Sequence, residues 1–237
     1  MEDILLFFKE NSNFAIPILM FSAVAIIGGI AYYYSNKKIM LREFKKSRKK
    51  PINRIQENEY AKIIGKAKHV NEPLEAPLSG RKCVYYHVIV EVKGDKSWRR
   101  IINDEKHQDF FIESNSEMAI IKMSSLQKSM KRFYLVKDYK EKSGFRNDAP
   151  EKLEGYLKYH NKKSTGLLGI NKTIRYTEGI IELNEAIAVK GIAQWKILKE
   201  PIEGYSYSKI LTLTGTKKEK LLVTDEPKAL LRVEEKL

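Results

Sequence analysis

Cys83 is the only cysteine in the chain, and it is the first candidate for nucleophilic chemistry, because a thiol needs only a nearby base to be activated. His87 is the closest histidine in sequence, but four strand residues would hold the two Cα atoms about 13 Å apart. His69 or His107 could approach from a neighbouring strand, and an enzyme reading would place Cys83, Tyr85, Glu178 or His69 around a cleft. The competing reading makes Cys83 a half-buried packing residue. His69, His87, His107 and His160 are isolated, and neither HExxH nor CxxC occurs, so neither zinc spacing is met and no metal or other cofactor is expected. The run STGLLGINK (Ser164 to Lys172) lacks the spacing of a phosphate loop.

The elements that would carry these side chains are mostly strands. CVYYHVIVEVK (Cys83 to Lys93) alternates: Val84, Tyr86, Val88, Val90 and Val92 share a face expected to be core, and Cys83, Tyr85, His87, Ile89 and Glu91 share the other. Tyr60 to Val70 reads as a strand in which Gly65 marks a bulge or a close approach. The segments 98–104, 109–114 and 118–123 continue as short strands in an antiparallel meander. Glu151 to Asn161 has the pattern of a short amphipathic helix over Leu153, Tyr156, Leu157 and Tyr159. Strand texture resumes at 173–183, 186–198, 209–215 and 221–225, and a terminal helical stretch is expected at 228–236. The fold expected is β-rich, all-β or α+β. It comprises an antiparallel barrel-like domain, one or two short helices and one N-terminal membrane-spanning helix. Glu72-Pro73-Leu74-Glu75 echoes Glu200-Pro201-Ile202-Glu203, which is compatible with a duplicated β unit.

That helix is read from Phe14 to Tyr34, a run without a charged side chain. As a helix it is about 31 Å long, which matches a hydrocarbon core of about 30 Å. The residues before it, with Glu2, Asp3 and Glu10 against Lys9, do not make the basic leader of a signal peptide. After it come Lys37, Lys38, Arg42, Lys45, Lys46, Arg48, Lys49 and Lys50, opposed only by Glu43. The net charge is +14, and this stretch supplies half of it. Cations so placed hold their side in the cytoplasm and face anionic lipid, which leaves the N-terminus outside. The expected layout is an extracytoplasmic tail (1–13), a membrane helix (14–34), a basic linker (35–57) and a β-rich domain (58–237). Nucleic acid would need a basic groove interleaved with exposed aromatics. Trp98-Arg99-Arg100 and Lys131-Arg132-Phe133-Tyr134 offer only fragments, so nucleic acid is not the expected partner.

NEPLEAPLSGRKCVYYHVIV (Asn71 to Val90) resembles the signature of the GIDE family, also called the BAM ("beside a membrane") domain. Pro73, Leu74, Ala76, Pro77, Ser79, Gly80, Cys83, Tyr85 and Tyr86 carry the match. Asp109-Phe110-Phe111, Arg175-Tyr176-Thr177-Glu178 and Ala188-Val189-Lys190-Gly191 follow in the family's order. The likeness covers roughly residues 58–232. It implies a membrane-proximal domain with a role in binding or assembly. Eukaryotic members add a second span and a RING finger and act as E3 ubiquitin ligases. A RING needs seven or eight Cys and His ligands, which one cysteine excludes. The expectation is therefore a non-catalytic, membrane-anchored interaction module for a protein partner or a lipid headgroup. The enzyme and a nucleic-acid-binding barrel are its alternatives.

Overall fold

The computed structural model describes residues 12–70, 72–144, 147–166, 169–198, 205 and 207–231. Most of the expected extracytoplasmic tail, and the second of the two echoing segments, lie outside them. The chain divides into two units, Met1–Glu43 and Phe44–Leu237.

In the first unit, helix α1 (Ser12–Tyr33) is the one helix among the described residues long and apolar enough to cross a membrane. None of its 18-residue apolar window, Ile16–Tyr33, is buried. Hydrophobic side chains cover it all round, so it has no polar face to turn to water. Helix α2 (Asn36–Lys45) follows after a short break, and its last two residues belong to the second unit. Its cations turn back onto the tyrosines at the end of α1. Lys38 lies over the ring of Tyr32 at 4.5 Å, and Arg42 over that of Tyr33 at 4.0 Å. Arg42 also donates to the Tyr33 carbonyl, which the helix end leaves without a partner (2.6 Å).

The second unit is β-rich and holds two sheets. In the first, β1 (Tyr60–His69), β5 (Phe110–Ser114), β6 (Glu117–Ile121), β11 (Lys209–Thr214) and β10 (Ala186–Ile197) pair in that order. A contact between β10 and β1 closes the ring into a five-stranded barrel. β1 serves both neighbours: Tyr60–Lys66 pair with β10, and Lys66–His69 with β5. It can do so because Gly65 lets the strands come together; a Cβ there would stand 2.2 Å from the Glu113 carbonyl oxygen. The sequence reading of Gly65 as a point of close packing holds. All pairings in the barrel are antiparallel except β6 with β11. This is the connectivity of an OB-type Greek-key barrel. Beyond it, β12 (Leu221–Thr224) pairs with β10, and β7 (Lys131–Tyr134) with β12, again in parallel. A plain meander, expected from the sequence, would contain no parallel pair.

The barrel core is made of alternate side chains from every strand, among them Ile63, Phe110, Ile112, Ala119, Ile121, Val189, Leu211 and Leu213. β5 and β6 meet at Asn115-Ser116, both with positive φ (54° and 64°), as a two-residue type I′ turn requires.

The second sheet, a half-barrel, is inserted between β1 and β5 and between β6 and β10. Its central strands are β3 (Lys82–Lys93) and β9 (Ile174–Glu182). β4 (Trp98–His107) and the short β2 (Leu74–Glu75) pair with β3, and β8 (Tyr139–Ser143) with β9. Helix α3 (Glu151–Tyr159) covers one face. Its Leu153, Tyr156 and Leu157 form a second core with Leu78, Val88, Val90, Ile102, Ile174 and Tyr176. Tyr159, counted on the apolar face in the sequence reading, is 80 % exposed, because it falls off the stripe set by the other three. Helix α4 is a short turn, Pro227–Leu230.

Candidate functional site

The strand alternation of β3 decides what faces what, with one correction. The β3–β9 register shifts between Cys83 and Tyr85, an irregularity that turns two consecutive side chains inward. Val84 and Tyr85 are therefore both buried in the barrel core, and Tyr85 is not on a solvent face as the alternation suggested. From Tyr86 onward Val88 and Val90 point to the α3 core. His87 and Ile89 point the other way, with Thr177 and Gly179 of β9 beside them. The opposite wall is the segment 131–137. It can approach the sheet because Gly179 has no side chain: a Cβ there would meet the Val136 carbonyl at 3.2 Å.

Between these walls lies a cleft of about 380 Å³, within the range of small-ligand sites. Tyr85, Phe133, Leu135 and Ile89 give it apolar surface, and the Tyr85 and Phe133 rings sit 4.6 Å apart. Five cations line it: Lys128, Lys131, Arg132, Lys137 and Lys220. Among the described residues Glu105 is its only carboxylate, and Tyr85 donates its hydroxyl hydrogen to it (3.0 Å). Lys128, Arg132, Lys137 and Lys220 form no ion pair among the described residues. Their charge is unspent, and a concave site with unspent cations on an apolar floor attracts an anion.

Lys131 reaches back from the cleft to the His107 ring nitrogen and the Met123 carbonyl. Burial holds Lys131 below the usual lysine range, and Glu105 and Asp109 oppose the shift. Burial, then the Lys131 charge, holds His107 below the ordinary imidazole range. An ammonium can only donate, so the His107 Nε2 accepts from Lys131. The wall carrying Lys131 is fixed from behind. Thr224 Oγ1 donates to the Tyr134 carbonyl (2.6 Å), and the Val136 N–H donates to Asp225 (2.8 Å).

The motif residues of the Pro73–Gly80 segment gather elsewhere, around Glu178. This side chain is fully buried and accepts the N–H of Leu78 (2.8 Å) and that of Ser79 (3.1 Å). Ala76 exchanges backbone hydrogen bonds with Gly80 and Arg81, and Gly80 sits at φ +73°, where a Cβ would be strained. Arg81 then ties the loop to Asp138 (3.2 Å) and Glu182 (3.1 Å). Leu74 and Tyr86 pack on the small cluster of Ala76, Cys83 and Ile180. Tyr176 belongs to the α3 core. Pro73 and Pro77 stiffen this docked connection.

Cys83 is fully buried rather than half-buried, and burial with the nearby Glu178 charge pushes its thiol up to about 12. It is a packing residue, not a nucleophile. Asp109, Phe110 and Gly191 lie in the barrel. Phe110 fills its core. Asp109 accepts the N–H groups of Met123 and Ser124 and pairs with Lys122 (2.6 Å). Burial alone would raise its carboxyl, but these partners outweigh it and hold it below the usual range. Gly191 leaves room for the Thr214 carbonyl, 2.8 Å from where a Cβ would stand.

The structure thus gathers the Pro73–Gly80 loop around Glu178, with Cys83 and Tyr86 packed beside it, puts Tyr176 in the α3 core and Tyr85 with Phe110 in the barrel core, and leaves Asp109 and Gly191 elsewhere in the barrel. Of the motif residues Tyr85 and Thr177 line the cleft, together with the candidate His87. Sequence reasoning noted Lys131-Arg132-Phe133 as a fragment but not Lys128, Lys137 or Lys220, which come from three separate connections. No group of three or more His, Cys, Asp or Glu placed to hold a metal ion occurs among the described residues. No family model, no curated protein and no solved structure matches the chain.

Proposed function

We propose that the chain is a membrane-anchored, non-catalytic binding module of the GIDE or BAM type, whose cleft takes an anionic group presented at the membrane surface. The observation that carries this reading is the lining of the cleft, five cations against one carboxylate over an apolar floor. The anchor is α1, which offers a lipid-compatible surface on all sides. The cations Lys37 to Lys50 favour the cytoplasmic side for the domain, where anionic headgroups are close. The anionic group is a lipid headgroup or an acidic segment of a partner protein. The family reading is supported by the way its motif residues cooperate, Glu178 holding the loop that Pro73 to Gly80 form.

The test uses the full chain in nanodiscs of phosphatidylcholine alone or with phosphatidylserine or phosphatidic acid. Binding is read from chemical shifts or fluorescence at the cleft, with a soluble acidic peptide added in a parallel titration. Anion-dependent changes that disappear in a K128E/R132E/K220E variant support the reading. A response identical in that variant, or none to any anion, removes it. A second reading, single-stranded nucleic acid, draws on the barrel type, whose usual ligand face is its second and third strands. Here those are β5 and β6, and nearby Lys68 and Lys122 are already paired with Glu113 and Asp109. Oligonucleotide binding with a steep salt dependence would favour it.

A further inference from the structure

A second cavity, of about 490 Å³, is lined by residues of β6 and β10 and of the segments leading into β1 and β11. Its character is opposite to that of the basic cleft. Trp195 on β10, Tyr205 and Tyr207 before β11, and Ile52 in the turn before β1 give it an aromatic and apolar lining. Glu57 and Glu117 supply two carboxylates, with Lys209 the one cation among the described residues. In a chain of net charge +14, a site where carboxylates outnumber cations is unusual in its surroundings.

The aromatic wall is held in place by the barrel. The Trp195 indole N–H donates to the Ile55 carbonyl (3.0 Å), which fixes the ring plane. The Tyr205 hydroxyl donates to the Lys209 carbonyl (2.7 Å), and the Tyr205 and Tyr207 rings meet at 5.3 Å. Tyr207 and the nearby strand-end residue Ile197 are exposed. Each carboxylate is oriented by one backbone donor: Glu57 by the Trp195 N–H (2.7 Å), Glu117 by the Asn53 N–H (3.2 Å). Neither is in an ion pair among the described residues. Both retain acceptor capacity.

From this arrangement we infer that the cavity receives an arginine side chain of a partner polypeptide. A guanidinium is planar, lies flat on indole and phenol rings, and offers forked donors to carboxylates. A quaternary ammonium of a choline headgroup would use the rings but leave the two carboxylates without donors. The exposed Ile197 and Tyr207 at the side would take the apolar neighbours of the arginine.

The experiment titrates the full-length protein in non-ionic detergent, as a W98F variant, so that Trp195 is the sole indole reporting. The probes are N-acetyl-arginine amide, its neutral isostere N-acetyl-citrulline amide, and choline. The expected result is a saturable change of Trp195 emission with the arginine probe, in the millimolar range for so small a ligand. Citrulline should bind roughly tenfold or more weakly, and E57Q/E117Q should lose the preference. The amide that Glu57→Gln introduces still has an oxygen for the Trp195 N–H, so the double variant keeps its fold, which a thermal melt checks. Equal binding of citrulline, tighter binding of choline, an unchanged preference in the double variant, or no saturable response would each overturn the assignment.

Discussion

Glu178 on β9 and Leu78, one hundred residues earlier in the chain, are joined by a 2.8 Å hydrogen bond from the Leu78 N–H to the buried carboxylate. The Ser79 N–H joins the same group, so one side chain satisfies two consecutive donors of a tight loop that strands could not serve. Removing the carboxylate leaves both N–H groups without an acceptor. Glu178→Ala and Glu178→Gln are expected to destabilise the domain by about 2–4 kcal/mol, Gln because its amide offers only one acceptor oxygen. Denaturant unfolding against the parent chain measures this, and hydrogen exchange should show Leu78 and Ser79 losing protection first.

Cys83 offers a chemical test of burial. With its thiol pushed up to about 12, the thiolate fraction at pH 8 is on the order of one in ten thousand. Iodoacetamide should leave the native protein unmodified and label it promptly in denaturant. Cys83→Ala should keep anion binding at the cleft, measured by the same titration as the parent.

Asp225 makes stability depend on pH. Burial, with Glu185 and Asp138 adding and the Val136 N–H opposing, pushes its carboxyl up to about 7 from an ordinary 3.8. The unfolded chain ionises near pH 4, whereas the folded chain keeps its proton until near pH 7. The folded state therefore binds the proton more tightly, and this contribution to stability is lost as pH rises from about 4 to about 7. Asp225→Asn keeps an acceptor for Val136 without needing a proton. It should be more stable than the parent by about 1–3 kcal/mol at pH 8, with the difference closing near pH 4. Unfolding midpoints at the two pH values decide it.

Gly65 has no substitute. A methyl at 2.2 Å from the Glu113 carbonyl oxygen forces β1 and β5 apart at the point where β1 changes partners. Gly65→Ala is expected to cost about 3 kcal/mol or more, read from the thermal midpoint, whereas Gly155→Ala, with open space around it, should be tolerated.

Much of the fold was legible in the sequence because strand periodicity is local. The strands β1, β3, β9, β10, β11 and β12 and the helices α1 and α3 follow from alternation, length and turn residues. β7 and β8 were not legible: each is short, and neither alternates cleanly, because each is held by a neighbour distant in the chain. The register shift at Val84 was hidden for the same reason, since it exists only in the pairing with β9. Glu178 is legible as a motif residue and as a candidate for a cleft, but its partners are backbone groups, and a sequence cannot reveal those. The cleft was invisible as a unit because its cations come from β7, a turn and two loops.

The closure of β1 against β10 orders events in time. Residues 60–66 cannot find their partners at 186–192 until about 120 further residues have been made. At typical synthesis rates that is an interval of several seconds to tens of seconds, during which β1 is an open edge. By then α1 has long since emerged, so the apolar helix is available to a bilayer well before the barrel can shut.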